Sequence, residues 1–175
     1  EFFSVVYTRL PRRVVDVTGT ASPAVIIASD AQADVGTKVS AAYLLADPVE
    51  GVRRGRVTCA SDELLEAWGF PLLALEEGAN PIAAAEAGIV VGALLAEVRF
   101  LARRTVIWFI DNSSSLYSFV KGNSGNECLD RTAQVVAMLC LEHDIQIWFE
   151  YVDSHSNWSD GASRDGLSDS WAARH

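Results

Sequence analysis

The sequence predicts an α/β domain: a mixed five-stranded sheet, laid down as an antiparallel meander and then β-α-β units, with helices on its faces. The first observation is that three strand-like runs, separated by turn residues, precede any long helical pattern. The second is that the strongest helical pattern, NPIAAAEAGIVVGALLAEVRFLARR, runs directly into the apolar run TVIWFI. The third is that another long helical pattern leads into a last apolar run, IQIWFEYV.

Taken in order, residues 1–22 read as a lead-in or linker from a preceding domain, with Pro11, Gly19 and Pro23 as breakers. Val25–Asp30 is the first strand. Ala33-Asp34-Val35-Gly36 is a turn, Lys38–Leu45 the second strand, and Asp47-Pro48 through Gly51 another turn. Arg54–Ala60 is the third strand. Ser61-Asp62-Glu63 caps a short helical piece, Glu63–Trp68, and residues 69–79 are irregular. Pro81–Arg103 is a helix, with Asn80 suited to the N-cap and Pro81 to the first helical position. Ile82, Ile89, Val90, Ala93 and Leu101 fall on one of its faces. Thr105–Ile110 is nearly all apolar, as a buried central strand would be. Ser113–Lys121 is a short helix ended by Gly122, Cys128–His143 a long one, and Ile145–Val152 the fifth strand. Trp108 and Trp148 are expected in the core and Trp158 in a loop. The ordered domain should thus span 23–165, followed by a polar tail, 166–175, that frays.

At 175 residues, half of them hydrophobic, the chain suits one domain with a sizeable core. Its longest apolar stretch is broken by Glu97 and Arg99 and is too short to cross a membrane. The N-terminus lacks the order of a signal peptide and begins without Met, so an intracellular piece of a longer polypeptide is expected, not a secreted protein. Three widely spaced cysteines, Cys59, Cys128 and Cys140, form no metal motif and fit a reducing compartment. The net charge of −9 opposes nucleic-acid binding, which draws on Lys and Arg. Arg53, Arg54 and Arg56, placed in one turn, and Arg99, Arg103 and Arg104, near a helix end, are basic clusters that also suit plain solvated surface.

Four acids stand apart: Asp30 and Asp111 end the apolar runs AVIIASD and TVIWFID, Glu86 interrupts an apolar helix face, and Asp160 lies in the loop SHSNWSDGASR. Carboxylates in or beside a core are costly unless something charged meets them. Helix 81–103 must run antiparallel to the strand that follows, which brings Glu86, near the helix start, to Asp111 at the strand end. Glu97 lies on a similar face but about 16 Å further along, at about 1.5 Å per residue. Asp30 joins if the first strand runs parallel beside the fourth, and Asp160 joins if its loop folds back over the same sheet end. Singly, each acid has a plainer use: Asp30 opens a turn, Glu86 complements the helix dipole, Asp111 caps the next helix, and Asp160 caps a C-terminal turn. Together, four convergent carboxylates make a site for divalent metal ions and so for phosphate chemistry.

In these pieces and in their order, Asp, Glu, Asp, Asp, the chain resembles the ribonuclease H family over about Val25 to Arg164, especially the ribonuclease H domains of retroelement reverse transcriptases of the LTR or tyrosine-recombinase type. The matching segments are ASDAQADVG, the helix carrying Glu86, WFIDNSSSL and SNWSDGASR. The resemblance implies an endonuclease that hydrolyses the RNA strand of RNA–DNA hybrids with two Mg²⁺ ions about 4 Å apart, Mn²⁺ serving as a substitute. It implies that Asp30 bridges the ions, Glu86 and Asp111 hold the ion on the leaving side, and Asp160 completes the ion that activates water. His155 would shuttle protons or help product leave, and Asn112, Asn157 and Arg164 would contact the hybrid, although turn caps, a surface histidine or a surface salt bridge are equally plain uses of these residues. A reverse-transcriptase domain in the same polypeptide is the expected partner, and no membrane is. Rival readings are an inert ribonuclease H-like structural or binding module and another nuclease of the same fold. An integrase-like enzyme would close with a glutamate on a helix, and a proofreading-type exonuclease would carry a Glu where Gln32 stands.

Overall fold

The computed structural model describes residues 23–34, 38–59 and 82–169. Five strands, β1 Val25–Asp34, β2 Lys38–Asp47, β3 Gly51–Cys59, β4 Thr105–Ile110 and β5 Gln146–Tyr151, form one sheet in the order β3-β2-β1-β4-β5. The meander pairs are antiparallel, whereas β4 runs parallel to both β1 and β5. The helices are α1 Ile82–Leu101, α2 Ser113–Lys121, α3 Glu127–His143 and α4 Asp160–Arg164, with a 3₁₀ turn at Ser154–Ser156. The lead-in, the Glu63–Trp68 helical piece, the irregular 69–79 and the Asn80-Pro81 helix start lie outside the described residues.

The meander is longer than expected. β1 stays paired with β2 as far as Asp34 opposite Lys38, so Asp30 lies inside a strand, not at its end, and Ala33 and Asp34 belong to the strand and not to a turn. Gln32 looks like a turn residue, but the backbone pairing with β2 runs on through it, opposite Ser40. Arg53, Arg54 and Arg56 likewise lie along β3 instead of in one turn, so they divide between the two faces of the sheet.

On one face, Val25 and Ile27 of β1, Val39, Tyr43 and Leu45 of β2, and Val106, Trp108 and Ile110 of β4 pack against Ala85, Ile89, Val90, Ala93 and Leu94 of α1. The first half of α1 is built from Ala84, Ala85, Ala87 and Gly88, all buried. Small side chains let this end of the helix sit close to the sheet, and Glu86 is buried with them. Beside α1, α2 packs against β4 and β5, and α3 packs against both helices. On the opposite face, Ala42 and Leu44 pack against Ala162 of α4. Trp108 is fully buried, and its Nε1–H donates to Ser29 Oγ at 2.9 Å, which satisfies the indole in the core. Trp148, expected in the core, is 66 % exposed. The alternation of edge strand β5 turns Ile147 and Phe149 inward against the core and leaves Trp148 on the other side. At the edge of the meander, Tyr43 lies over Gly55, where any Cβ would collide with the ring. The tyrosine hydroxyl there donates to Glu97 at 2.9 Å.

Local chemistry sets the helix ends. Asn112 caps α2 by accepting the Ser115 N–H at 3.1 Å, and Gly122 ends it in the left-handed conformation at φ 70°. Asn126 caps α3 by accepting from Cys128 and Leu129 at 3.0 and 3.2 Å. Asn126→Ala should therefore cost about 1 kcal/mol, read as a lower urea midpoint with an unchanged slope. An unaltered midpoint would show that α3 is held by packing alone. Among the described residues, no helix is long and apolar enough to cross a membrane.

Candidate metal centre

The site follows from strand register. β1 pairs in parallel with β4 from Val25↔Val106 to Ala28↔Phe109. Continued, this register sets Asp30 level with Asp111, which lies one residue beyond β4. Helix α1 runs antiparallel to β4, and its first turns bring Glu86 to the same place. Asp30, Glu86 and Asp111 each offer a carboxylate oxygen within 4.8 Å of the others. The convergence expected of these three is present. Glu97 is engaged elsewhere, with Tyr43 and with Arg53 at 3.1 Å.

Glu86 is only 3 % exposed. Its Oε1 accepts the Ala31 N–H at 3.0 Å, while Oε2 is buried without a hydrogen-bond partner among the described residues. Burial, reinforced by the charges of Asp30 and Asp111, pushes its carboxyl well above the usual range. Asp30, also buried, is raised to about 6, by burial first and then by Asp111 and Asp160, against the opposing hydrogen bond from Ser163. A cation would satisfy the orphan Oε2 and remove the repulsion, and an all-oxygen set suits a hard divalent ion. The residues present therefore fit Mg²⁺ or Mn²⁺.

Asp160 stands outside the three-acid group. It does not lie in a loop but opens α4, and its Oδ1 pairs with Arg164 Nε at 2.7 Å. It is nonetheless at the same sheet end, because the Ser163 hydroxyl lies between its carbonyl and Asp30 Oδ2. With Asp160 on a helix, the distinction drawn from integrase-like enzymes rests on the residue type alone. Asn157, expected to contact substrate, is buried, and both ends of its amide are engaged within the protein. Its Nδ2 donates to the Ser29 carbonyl at 3.0 Å and its Oδ1 accepts from the Ser159 hydroxyl at 2.7 Å. It thus ties the closing segment to β1. Asn112 lines the cleft, but its Oδ1 is taken by the α2 cap, and this removes Asp111 from the capping role. Arg164 also lines the cleft, as does Ser154, the neighbour of His155. His155 is exposed in the 3₁₀ turn, its N–H held by Asp153 Oδ1 at 3.0 Å.

Two residues outside the expected site set also reach it. Ser163 is buried, and its hydroxyl donates to Asp30 Oδ2. Arg56, from β3, reaches across to the carbonyls of Ser163 and Arg164. The spacing of Ser163 three residues after Asp160, on one turn of helix, was the available signal for the first. Nothing local announced the second. The cleft around the acids holds about 350 Å³. A larger groove of about 500 Å³ between α2, α3 and β5 is lined mainly by apolar side chains such as Phe119, Val136 and Ile147, with Asp144 its single acid, and offers no comparable cation site.

No protein-family profile and no curated protein matches the sequence. Solved structures do. Ribonuclease H1 from the halophilic archaeon Halobacterium salinarum is 14 % identical, covers 85 % of this chain and 100 % of its own, and superposes with a TM-score of 0.61. LC11-RNase H1, solved in complex with an RNA/DNA hybrid, is 12 % identical over 76 % of this chain and 88 % of its own, with a TM-score of 0.58. The foamy viral protease-reverse transcriptase, solved with double-stranded DNA, is 12 % identical over 84 % and 94 %, with a TM-score of 0.51. At these identities the likeness is one of fold, and the chain has the ribonuclease H-like fold, in agreement with the five-stranded mixed sheet expected from its sequence.

Proposed function

We propose that this domain is a metal-dependent endonuclease that hydrolyses the RNA strand of RNA–DNA hybrids and works within a reverse-transcriptase polypeptide. The observation that carries this reading is the carboxylate cluster: three acids with ligand oxygens within 4.8 Å of one another, the most buried of them holding an oxygen that no described residue satisfies. Like charges gathered in a core destabilise the fold unless cations meet them, so a chain that keeps them has a use for cations. The solved relatives add support, since one of similar fold is held on an RNA/DNA hybrid.

Divalent ions, once bound, would polarise the scissile phosphate and lower the pKa of an attacking water. The chain's own residues do the rest. Asp30, Glu86 and Asp111 would hold the cations. Asp160, whose Oδ1 pairs with Arg164 Nε at 2.7 Å, would add a fourth oxygen if that pair opened, leaving Arg164 to meet the phosphate backbone. His155, on its exposed turn, takes up or returns a proton as product departs. No Ser, Cys or His is required as nucleophile, and the products are a 3′-hydroxyl and a 5′-phosphate. A net charge of −9 gives the isolated domain little general affinity for nucleic acid, so a linked polymerase domain would supply it by raising the local hybrid concentration.

The test is cleavage of a labelled RNA–DNA hybrid in Mg²⁺ by the wild type and by Asp111→Asn. Asp111 is half-exposed, so water can replace its oxygen in part, and the variant should be about 100-fold slower, the equivalent of about 3 kcal/mol. Equal rates, or an intact hybrid even when the wild type is fused to a polymerase domain, would remove the reading.

A further inference from the structure

We infer that Ser163 and Arg56 are positioning residues for Asp30, joined in one hydrogen-bond chain that runs from the edge strand of the sheet to the acid cluster. The inference rests on reading that cluster as a divalent-metal site. Arg56 stands on β3, with β2 between it and β1. Its Nη2 lies 3.2 Å from the Ser163 carbonyl, 3.5 Å from the Arg164 carbonyl and 3.2 Å from Ser40 Oγ. Those two carbonyls belong to the last residues of α4, where no further turn of helix supplies N–H partners and where a cation is favoured. Arg56 therefore fixes the C-terminal end of the helix that carries Ser163 and begins at Asp160.

Ser163 transmits that placement. Its hydroxyl has one proton, and two acceptors face it: Asp30 Oδ2, at close range, and the Asp160 carbonyl at 2.9 Å. Donation to an ionised carboxylate is the stronger of the two. With Oδ2 held, the Asp30 carboxylate cannot rotate freely, and it is presented to Glu86 and Asp111 in one orientation. A carboxylate has lone pairs enough to keep this bond and still bind cations. Groups that orient ligating side chains in this way typically change metal affinity by about 10- to 100-fold. Arg56 had a different reading from sequence, as part of a basic surface cluster able to meet nucleic acid. The two roles separate experimentally, because a phosphate contact acts on substrate binding and a positioning residue acts on the metal and on turnover.

The experiment is Mn²⁺ titration of the full chain by calorimetry, without nucleic acid, followed by hybrid cleavage at saturating metal. Ser163→Ala and Arg56→Ala should each weaken Mn²⁺ binding about tenfold, and the double variant should be no weaker than Ser163→Ala alone. Arg56→Lys, which keeps a cation at the helix end, should fall between the wild type and Arg56→Ala. In cleavage, kcat should fall while KM for the hybrid and its salt dependence stay unchanged. Thermal melts monitor folding, and if Ser163→Ala does not fold, the exposed Arg56 variants decide the matter. Wild-type Mn²⁺ affinity in the folded variants, additive losses in the double variant, or a raised KM with kcat intact in Arg56→Ala would each overturn the assignment. A wild type that binds no Mn²⁺ would overturn the metal reading as well, whereas binding lost in Asp111→Asn and untouched in Ser163→Ala would overturn the positioning role alone.

Discussion

Glu86→Gln is expected to raise the melting temperature of the metal-free protein at pH 8, by about 5 °C, while abolishing its response to Mg²⁺ or Mn²⁺ and lowering hybrid cleavage about 1000-fold. The two effects have one cause. Glu86 is a buried acid facing Asp30 and Asp111, and it is the member with an unsatisfied oxygen. The amide keeps an oxygen for the Ala31 N–H and turns an NH₂ toward the neighbouring carboxylates, so repulsion becomes attraction. The same change removes the ligand least replaceable by water, because Glu86 is more deeply buried than Asp111. Gain of stability with loss of function is the expected trade at a strained charged site.

The pH dependence carries the same sign. Asp30 is raised from 3.8 to about 6, and Glu86 is raised well above 4.5. Both therefore bind protons more tightly in the folded state than in the unfolded one. The stability they contribute is full below their unfolded pKa values and is lost as pH rises through about 6 for Asp30 and through the raised pKa of Glu86. For Asp30 the rise corresponds to about 3 kcal/mol. The metal-free protein should melt higher at pH 5 than at pH 8. Mg²⁺ should close that gap, since cations compete with protons for the same oxygens. Melts across this range in EDTA and in Mg²⁺ check both statements, with Glu86→Gln flattening the EDTA profile. A variant that melts below the wild type, or a wild type that gains stability with pH in EDTA, would count against the cluster as described.

The legible parts of this molecule were those encoded locally or by direction of travel. Ser113–Lys121 was bounded correctly because Asn112 and Gly122 are neighbours in sequence and act where they stand. Glu86 was preferred over Glu97 because a helix that runs straight into a strand fixes which of its ends meets the strand's end. Trp148 was misplaced because the run IQIWF hides its alternation when every residue but one is apolar, and only the pairing of β5 at the sheet edge shows which side is open. Asp160 was expected in a loop because DGASR is too short to show a helical period, and its pairing with Arg164 one turn away appears only once that turn forms. Arg56 was beyond reach altogether. Its contacts with Ser163 and Arg164 lie more than a hundred residues away in sequence, and no local pattern encodes a contact at that separation.

Asp47→Ala should destabilise the fold by about 3 kcal/mol and leave cleavage per folded molecule unchanged. Asp47 ends β2 beside the start of β1, at the opposite end of the sheet from Asp30. Its side chain is wholly buried. Oδ1 accepts the N–H groups of Val49 and Glu50 at 2.8 and 2.7 Å, and Oδ2 pairs with Arg104, which enters β4 from the end of α1. Burial alone would raise this carboxyl, but the Glu50 and Val49 N–H groups together with Arg104 outweigh it and hold it below the ordinary value. The sign is therefore opposite to that of the metal cluster: the stability Asp47 adds is present above its unfolded pKa and is lost as pH falls below about 4. Magnitude separates it from the exposed pair Arg131–Glu127 on α3, where exposures of 48 % and 69 % imply a few tenths of a kcal/mol. Arg104 is 18 % exposed and can turn partly to water, which places the Asp47→Ala loss at the low end of the range for broken buried pairs. Arg104→Gln should cost more than Asp47→Asn, because it leaves a buried charge with only two N–H partners, whereas the asparagine keeps an oxygen for both turn amides and leaves the residual charge on the side chain that can reach solvent. Urea unfolding of the three variants at pH 7 gives the order, and an Arg104→Gln loss smaller than that of Asp47→Asn would show that the two N–H groups, and not the guanidinium, hold the Asp47 charge in the core.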